Sequence, residues 1–305
     1  MSTSIVPVKF VIGSRKLLAV PRVLDTVAFG LNELVAGEAP AISYAQGRAD
    51  GLRFLSLPMA ALGEVRSRFP RHILGGFQAY QRYYIEMEGR SYQDYLAGFS
   101  SKTRSTLNRK HRKLVERSGG MLDMRAFTRP DQVEAFMADA VPLSRRTYQT
   151  RLLDAGLPEG EETVAGMTAL AAQDRMRAYI LYLDGQPVSY LYLPVTDGII
   201  TYAYLGYDPD HAQLSVGTVL QMEALERLFA ERRYRYFDFT EGEGAHKQMF
   251  GTACIAACSF FLLRPTVANR LLIGSLNAFD GGVSLAKGLV EKHGALGPLR
   301  RMLRG

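Results

Sequence analysis

The sequence contains few cysteines, and their arrangement limits the sites they could form. Its 305 residues include only two, Cys254 and Cys258, which lie four positions apart in an apolar segment. A disulfide framework would need more cysteines at wider spacing, and a metal site would need further ligands nearby. We therefore expect two buried thiols and no metal. Such use of cysteine is typical of a reducing compartment.

Long hydrophobic runs are also missing from the sequence. No stretch approaches the roughly 18 uninterrupted apolar residues of a membrane-spanning helix, and the first residues lack the basic start and apolar core of a signal peptide. Hydrophobic residues make up 47% of the chain and charged residues 22%, proportions that predict a globular protein with a sizeable core. The length predicts two domains, and we expect a cytoplasmic location.

Positive charge is concentrated in two segments, although the net charge of the whole chain is only +7. Residues 100–118 contain seven lysines and arginines against one glutamate, and residues 265–305 contain six against two carboxylates. Both patches favour anionic partners such as CoA phosphates, lipid headgroups or nucleic acid. DNA is disfavoured because no zinc-finger spacing or other DNA-reading module accompanies the charge.

Each basic patch coincides with a predicted helix. The first covers Lys102–Arg117 and is capped by Ser100 or Ser101. Two interpretations stay open for it: a solvated face, or a positive wall for an anionic acceptor. The second patch is a tail that carries an apolar stripe at helical spacing. We expect this tail to be either an interfacial anchor on the inner face of an anionic membrane or a helix packed against its own domain.

The pattern of secondary structure is sharpest in the second half of the chain. Three strands are predicted as an antiparallel meander, at Met176–Leu183, Val188–Val195 and Ile199–Tyr207. A helix follows from about Thr218 to Arg232. The remaining elements are a short buried strand, Tyr236–Phe239, a glycine-rich turn, a short helix that contains His246, and a final strand, Cys254–Leu263.

The loop before the helix at Thr218 is suited to a phosphorylated ligand. The free N–H groups and the dipole at a helix N-terminus favour anionic oxygens. Ser215, Gly217 and Thr218 are small, so a pyrophosphate could approach the backbone closely. The alternative is that this Ser-x-Gly-Thr sequence only caps the helix.

The order of these elements resembles the GNAT acyltransferase superfamily. The resemblance is carried by YLAGFSSKTRSTLNRKHRKL, DGQPVSYLY, DPDHAQLSVGT and YRYFDFTEGEGAHKQMFG, and it covers residues 92–264. Within the superfamily the chain is most similar to the bacterial acetyltransferases first associated with cellulose and exopolysaccharide biosynthesis, and distantly to Fem-type aminoacyltransferases. The resemblance implies an α/β fold with a mixed, largely antiparallel central sheet flanked by helices.

The same resemblance suggests a division into three parts. Residues 91–264 would form the GNAT domain, and residues 265–305 the basic amphipathic tail. Residues 1–90 would form an N-terminal α/β domain, for which a degenerate GNAT-like half is one interpretation. No feature of the sequence indicates an oligomeric state.

The resemblance also implies an acyl-CoA co-substrate, held by two groups of residues. The phosphate loop departs from the superfamily's usual pattern, because Gln213 stands further from Gly217 and Val216 replaces a common proline. The loop would hold the pyrophosphate and the third strand would pair with the pantetheine arm. The candidates are Gln213, Ser215, Val216, Gly217 and Thr218 for the loop, and Tyr202, Ala203 and Leu205 for the strand.

Direct acyl transfer to an amine requires a proton acceptor for the amine, donors for the oxyanion and a proton for the leaving thiolate. The carboxyl end of the predicted Tyr236–Phe239 strand offers several titratable groups for these roles. Each of them has a structural alternative: a residue paired within the fold, or a solvated residue of the surface or a turn. For the tyrosine of the third strand the alternative is a place on a half-buried sheet face. The candidates are Asp238, Glu241, Glu243, His246, Lys247 and Tyr204.

These features predict an acyl-CoA-dependent N-acyltransferase. The expected acceptor is a primary amine of a cell-envelope lipid or glycan precursor, such as a sphingoid base or an amino sugar. The first acceptor would make the enzyme similar to a ceramide synthase. Two alternatives stay open, namely a Fem-like transferase that uses aminoacyl-tRNA and a non-catalytic binding module of GNAT fold.

Overall fold

The computed structural model describes residues 2–12, 15–37, 49–149, 156–242 and 244–292. The chain divides into two compact units. Unit 1 takes in the described parts of residues 1–82, 241–243 and 255–305, and unit 2 those of residues 83–240 and 244–254. The predicted boundaries after residues 90 and 264 stay predictions. The strand predicted at Cys254–Leu263 belongs largely to unit 1, where it pairs with Gly51–Pro58.

The described strands and helices alternate along most of the chain. In chain order they are β1 (Ser2–Ile12), β2 (Arg15–Ala28), α1 (Leu31–Ala36), β3 (Gly51–Pro58), α2 (Leu62–Arg68), β4 (Ile73–Glu86), α3 (Tyr92–Ala97), α4 (Ser101–Arg117), β5 (Asp123–Phe127), α5 (Val133–Gln149), α6 (Glu161–Ala172), β6 (Met176–Leu183), β7 (Gln186–Thr196), β8 (Ile199–Thr201), β9 (Tyr204–Tyr207), α7 (Val216–Ala230), β10 (Tyr236–Asp238), α8 (Ala245–Phe250), β11 (Ala253–Leu263) and α9 (Val267–Lys292). Short 3₁₀ turns occupy Met59–Ala61, Pro130–Gln132 and Pro209–Leu214.

Unit 1 is a sheet with helices packed on it. Its strand order is β1-β2-β3-β11-β4, where the last strand contributes its residues up to Arg82. The β1–β2 and β3–β11 pairs are antiparallel, and the β2–β3 pair is parallel. Helix α9 packs through Leu272, Ile273 and Leu276 against the buried side chains of β1. The tail helix therefore packs on its own unit, one of the two alternatives predicted for it.

The tail helix also exposes apolar side chains. Val267, Leu271 and Leu285 are more than half exposed. Arg300, Arg301 and Arg304, which the tail prediction counted, lie outside the described residues. Within the part of the chain that the structure describes, no helix is long and apolar enough to cross a membrane.

Unit 2 is built on a mixed sheet whose strands follow the order β4-β10-β8-β7-β6-β5. The β8–β10 pair is parallel, and the other pairs are antiparallel. Both faces of the sheet are covered. Leu191 and Leu193 of β7 join the core under α3, α4 and α7, whereas Tyr190 and Tyr192 face the core under α5 and α6. This architecture confirms the predicted α/β class with a largely antiparallel sheet and flanking helices.

Two expectations of local structure were wrong. The strand predicted over Ile199–Tyr207 is broken at Tyr202 and Ala203, because Tyr202 N–H donates to the carbonyl oxygen of Asp238 (2.9 Å) while the next residues pair with β7 alone.

Of the two cysteines predicted as buried, only Cys258 is buried, and Cys254 is exposed. Residues four apart lie on the same face of a strand, but the pairing of β11 with β3 begins only at Ala257, so Cys254 precedes that paired and buried part.

Candidate functional site

A cleft of about 490 Å³ lies in unit 2 beside β9 and the N-terminus of α7. It is lined by seven of the eight residues predicted to bind the acyl donor, and by one of the predicted catalytic residues, His246. Thr147, Tyr207 and Ala212 complete the lining. The seven predicted residues are Tyr202, Ala203, Leu205, Ser215, Val216, Gly217 and Thr218.

One wall of the cleft is the open edge of β9. Strand β8 pairs with β7 on one side and with β10 on the other, but β9 pairs only with β7 among the described strands. At Tyr207 the free edge is closed by Thr147, whose hydroxyl accepts from Tyr207 N–H (3.0 Å) and lies 2.5 Å from the Tyr207 carbonyl oxygen. Backbone groups two residues apart point the same way, so the N–H and C=O of Leu205 face the cleft.

The opposite wall is the first turn of α7. Ser215 precedes it in the left-handed region (φ 56°, ψ 37°), and its side chain makes no capping hydrogen bond. The first N–H groups of a helix have no partner inside the helix. The arrangement is therefore not a simple serine cap, and the N–H groups at the start of α7 together with the helix dipole favour an anion in the cleft.

Gly217 allows these two walls to approach each other. A Cβ atom at this position would lie 3.1 Å from Cδ2 of Leu205 and 3.4 Å from Cδ1 of Tyr207. Any larger side chain would fill the space between the helix and the strand edge. The glycine that the sequence indicated for close approach to a phosphate therefore also sets the distance between α7 and β9.

The loop before α7 is held by an ion-pair cluster. The guanidinium of Arg146 donates to Asp208 Oδ2 (2.8 Å) and to Asp210 Oδ2 (2.8 Å). The Asp208 carboxylate is 7% exposed and also accepts from Asp210 N–H, which caps the 3₁₀ turn Pro209–Leu214. Arg146 and Thr147 are neighbours on α5, so this one helix fixes both the loop and the end of the β9 edge.

His246 lies half-buried at the cleft and contacts Gln221. Its Nε2 is 2.5 Å from Oε1 of Gln221, a fully buried residue of α7. With a carbonyl oxygen as acceptor, Nε2 carries the hydrogen and Nδ1 keeps a lone pair. Burial, as the larger cause, and the positive charges of Lys110 and Lys247 together lower the pKa of His246 to about 4. The imidazole is therefore uncharged at neutral pH.

The residues that line this cleft fall within a match to a known protein family. Residues 101–248 match the family model of an acetyltransferase (GNAT) domain. The chain contains a GNAT domain. A crystal structure of FemX has a similar fold, with a TM-score of 0.53 at 11% sequence identity over 86% of this chain and 89% of that one.

Two further solved structures resemble the chain more weakly. The C-terminal domain (DUF2156) of a putative lysylphosphatidylglycerol synthetase from Agrobacterium fabrum gives a TM-score of 0.49 at 13% identity, over 75% of this chain and 72% of that one. L-PGS from Bacillus licheniformis gives 0.45 at 13% identity, over 73% and 71%. No curated protein matches the chain. The more specific resemblance to exopolysaccharide acetyltransferases stays a prediction.

Three other predicted residues of the GNAT domain lie outside the lining of the cleft. Asp238 is buried at the end of β10, where its Oδ1 accepts from Thr240 N–H (2.9 Å). The ring of Tyr204 stacks on Tyr192 on the face covered by α5 and α6. Gln213 contributes its carbonyl oxygen to Lys113 Nζ at 3.2 Å.

The remaining catalytic candidates are distributed differently. Lys247 is half-buried beside His246 and acts on the pKa of that histidine. Glu241 belongs to unit 1, where its carboxylate accepts from Ser56 Oγ (3.1 Å) and lines a second cleft. Glu243 lies outside the described residues. Among the residues that are described, no group of three or more His, Cys, Asp or Glu side chains could hold a metal ion.

The basic helix α4 contacts the site within the GNAT domain. Ser100 caps it as expected, accepting from Thr103 N–H. Lys113 reaches the loop at Gln213, and Lys110 is near enough to His246 to lower its pKa. His111 Nε2 lies 2.8 Å from Glu223 Oε1 and so links α4 to α7. Positive charge from α4 therefore adjoins the N-terminal end of α7.

Proposed function

We propose that this protein is an acyl-CoA-dependent N-acyltransferase whose donor site is the cleft in unit 2. The observation that supports this most is the combination of an open strand edge, a helix N-terminus without a side-chain cap and an uncharged histidine in one cleft. Each of them serves a different part of an acyl-CoA molecule or of its reaction.

The two walls suit the two ends of the donor arm. The N–H groups of Val216, Gly217 and Thr218 would bind the pyrophosphate, with Lys113 and Lys110 nearby as counter-charges. The N–H and C=O of Leu205 would pair with an amide of the pantetheine arm, as an added strand would. A Cβ at Gly217 would crowd Leu205 and Tyr207, which line the same cleft, so we expect a larger side chain there to impair donor binding.

The reaction balances with groups of the cleft. The neutral amine attacks the thioester carbonyl carbon, the C–N bond forms and the C–S bond breaks. His246 Nδ1 accepts the proton that the amine loses, and the thiolate takes a proton from the phenol of Tyr202, whose ring centroid is 6.0 Å from that of His246. A proton then passes from the His246 imidazolium to the Tyr202 phenolate, which returns both side chains to their starting forms. Tyr202 replaces Tyr204, which packs away from the cleft.

A low pKa suits His246 for this role. The attacking amine becomes far more acidic as the C–N bond forms, so a weak base can accept its proton in the transition state. An uncharged ring also avoids repulsion by Lys110 and Lys247. The phosphates of a bound donor would offset these lysine charges and raise the pKa of His246 toward its usual value.

The acceptor we propose is a primary amine of an envelope precursor, either a sphingoid-type lipid base or an amino sugar. A second candidate is transfer from aminoacyl-tRNA, favoured by the basic helix α4 beside the cleft and by the overall fold similarity to FemX. A non-catalytic module is less well supported, because we would expect its helix N-terminus to be blocked by a side chain, and Ser215 makes no such bond.

Release of free thiol tests the proposal. The purified protein is incubated with acetyl-, octanoyl- and palmitoyl-CoA, each with sphinganine or with a nucleotide-linked amino sugar, and thiol is measured over time. We expect release with at least one donor and acceptor. Gly217→Leu should raise the KM for that donor at least tenfold, whereas Gly166→Leu, in α6 with no atom near an added Cβ, should leave it unchanged. If wild-type protein releases no thiol from any donor, the proposal is wrong.

A further inference from the structure

A second cleft, of about 540 Å³, lies entirely within unit 1 and is built around an irregularity of β3. Leu57 pairs with Cys258 and Phe54 pairs with Phe260, so two residues of β3 oppose the single residue Ser259. The second of the two, Ser56, has a positive φ of 54°. Bulges of this kind redirect side chains, and a non-glycine residue in the left-handed region is strained.

The bulge turns Ser56 into a chain of hydrogen bonds that runs from buried hydroxyls to Glu241, an exposed residue. Its N–H donates to Ser259 Oγ (3.0 Å), and its Oγ donates to Glu241 Oε1 (3.1 Å). The hydroxyl of Tyr80 lies 2.8 Å from Ser56 Oγ and 3.0 Å from Ser259 Oγ. Ser56 and Tyr80 are both buried.

Counting hydrogens fixes the direction of this chain. Each hydroxyl has one hydrogen, and an ionised carboxylate only accepts. Since Ser56 donates to Glu241, Tyr80 must donate to Ser56, and Ser259 must donate to Tyr80. Every hydroxyl hydrogen therefore points along one path that ends on the carboxylate. Burial raises the pKa of Tyr80, which keeps its phenol protonated as this order requires.

Two members of the chain reach the cleft. Glu241 and Ser259 both line it, and Ser259 Oγ retains an accepting lone pair after its bond from Ser56. Beside them the walls are apolar, with Val6, Phe261 and Leu276. Two cations, Lys9 and Arg53, and a second carboxylate, Asp280, balance the lining. Glu241 accepts a hydrogen bond from the buried Ser56 hydroxyl, which helps to hold its carboxylate in place.

We propose that the cleft of unit 1 binds a primary ammonium group that carries an apolar chain. The ammonium donates to the Glu241 carboxylate and to Ser259 Oγ, and the hydrocarbon lies against Val6, Phe261 and Leu276. This proposal rests on unit 1 alone, so it stands or falls separately from the donor site in unit 2.

Calorimetric titration of the full-length protein tests the proposal, with octylamine as the probe and octanol and octanoate as matched compounds of the same chain length. Octylamine should bind saturably below its micellar concentration, and the other two at least tenfold more weakly. Glu241→Gln should weaken octylamine binding at least tenfold, because it removes the charge that strengthens the hydrogen bond from the ammonium. Glu64→Gln, an exposed carboxylate in α2 paired with Arg68, should leave it unchanged.

Two more variants test what the hydroxyl chain contributes to binding and in which cleft the amine binds. Tyr80→Phe should weaken binding about threefold while the melting temperature shows that the protein is still folded. His246→Asn should not change octylamine binding, which separates this cleft from the one in unit 2. The proposal is overturned if octylamine does not saturate, if octanoate or octanol binds as tightly, or if Glu241→Gln has no effect.

Discussion

Replacing Gln221 with leucine should separate stability from activity. Gln221 is fully buried, and its Nε2 has no hydrogen-bond partner among the described residues. An unsatisfied buried donor costs about 1–3 kcal/mol, and the bond from His246 to Oε1 contributes about 0.5–1.5 kcal/mol. Leucine has a similar volume and removes both effects. We therefore expect the free energy of unfolding to stay the same or to rise by up to about 2 kcal/mol.

Activity should change in the opposite direction. Without Gln221 nothing fixes the hydrogen on His246 Nε2, so the lone pair on Nδ1 is no longer held in position for the amine. A positioned base contributes about 10²–10⁴ in rate, and we expect kcat to fall by a factor of about 10–100. The His246 ¹⁵N shifts should change from one tautomer to a mixture.

Urea unfolding and the thiol-release assay measure the two effects on the same samples. Ser189→Ala is the matched control, since Ser189 is also fully buried but its hydroxyl donates to the Gly206 carbonyl oxygen at 2.9 Å. That variant should lose about 1 kcal/mol of stability. A loss of about 2 kcal/mol or more in Gln221→Leu, or an unchanged kcat, would refute the reasoning.

Two further predictions concern pH and the strand edge. The pKa of His246 is about 4 in the folded protein and near 6.5 in the unfolded chain, so the unfolded chain binds more protons between these pH values. Acidification from pH 6.5 to 4 should therefore lower the free energy of unfolding by up to about 3 kcal/mol. His246→Asn should remove that part of the pH dependence in urea unfolding, and an unchanged slope would contradict the assignment. Thr147→Val leaves the outward N–H and C=O of Tyr207 unpaired, which should cost about 1–2 kcal/mol and raise the KM for the donor severalfold. An unaltered KM would show that Thr147 does not define the edge.

Features set by neighbouring residues could be predicted from the sequence. The hairpin of β6 and β7 follows from the Asp184–Gly185 turn, and the position of the loop before α7 follows from small residues just before a helical pattern. Helix α7 begins two residues before the predicted start because its first turn carries Val216 and Gly217, which the pattern assigned to the loop. Local sequence determines where a helix begins, so such errors stay small.

Features set by distant residues could not be predicted. Thr147 bonds to Tyr207 across 60 positions, and Gln221 bonds to His246 across 25. Threonine on a helix and glutamine on an apolar helix carry no local signal for these roles. The break at Tyr202 has the same origin, because it depends on β10, whose place beside β8 is fixed by the fold of the unit.

Glu241 and His246 show why closeness in sequence misleads at this site. They are five residues apart in the sequence, and that closeness is the ground for grouping them as catalytic candidates. The chain passes from unit 2 into unit 1 at residues 241–243 and returns at residue 244. Glu241 is accordingly held by Ser56 and His246 by Gln221, each through partners of its own unit. A carboxylate committed to a buried hydroxyl chain is better suited to hold a charged ligand than to move a proton, so the chemistry we propose leaves Glu241 out and keeps His246.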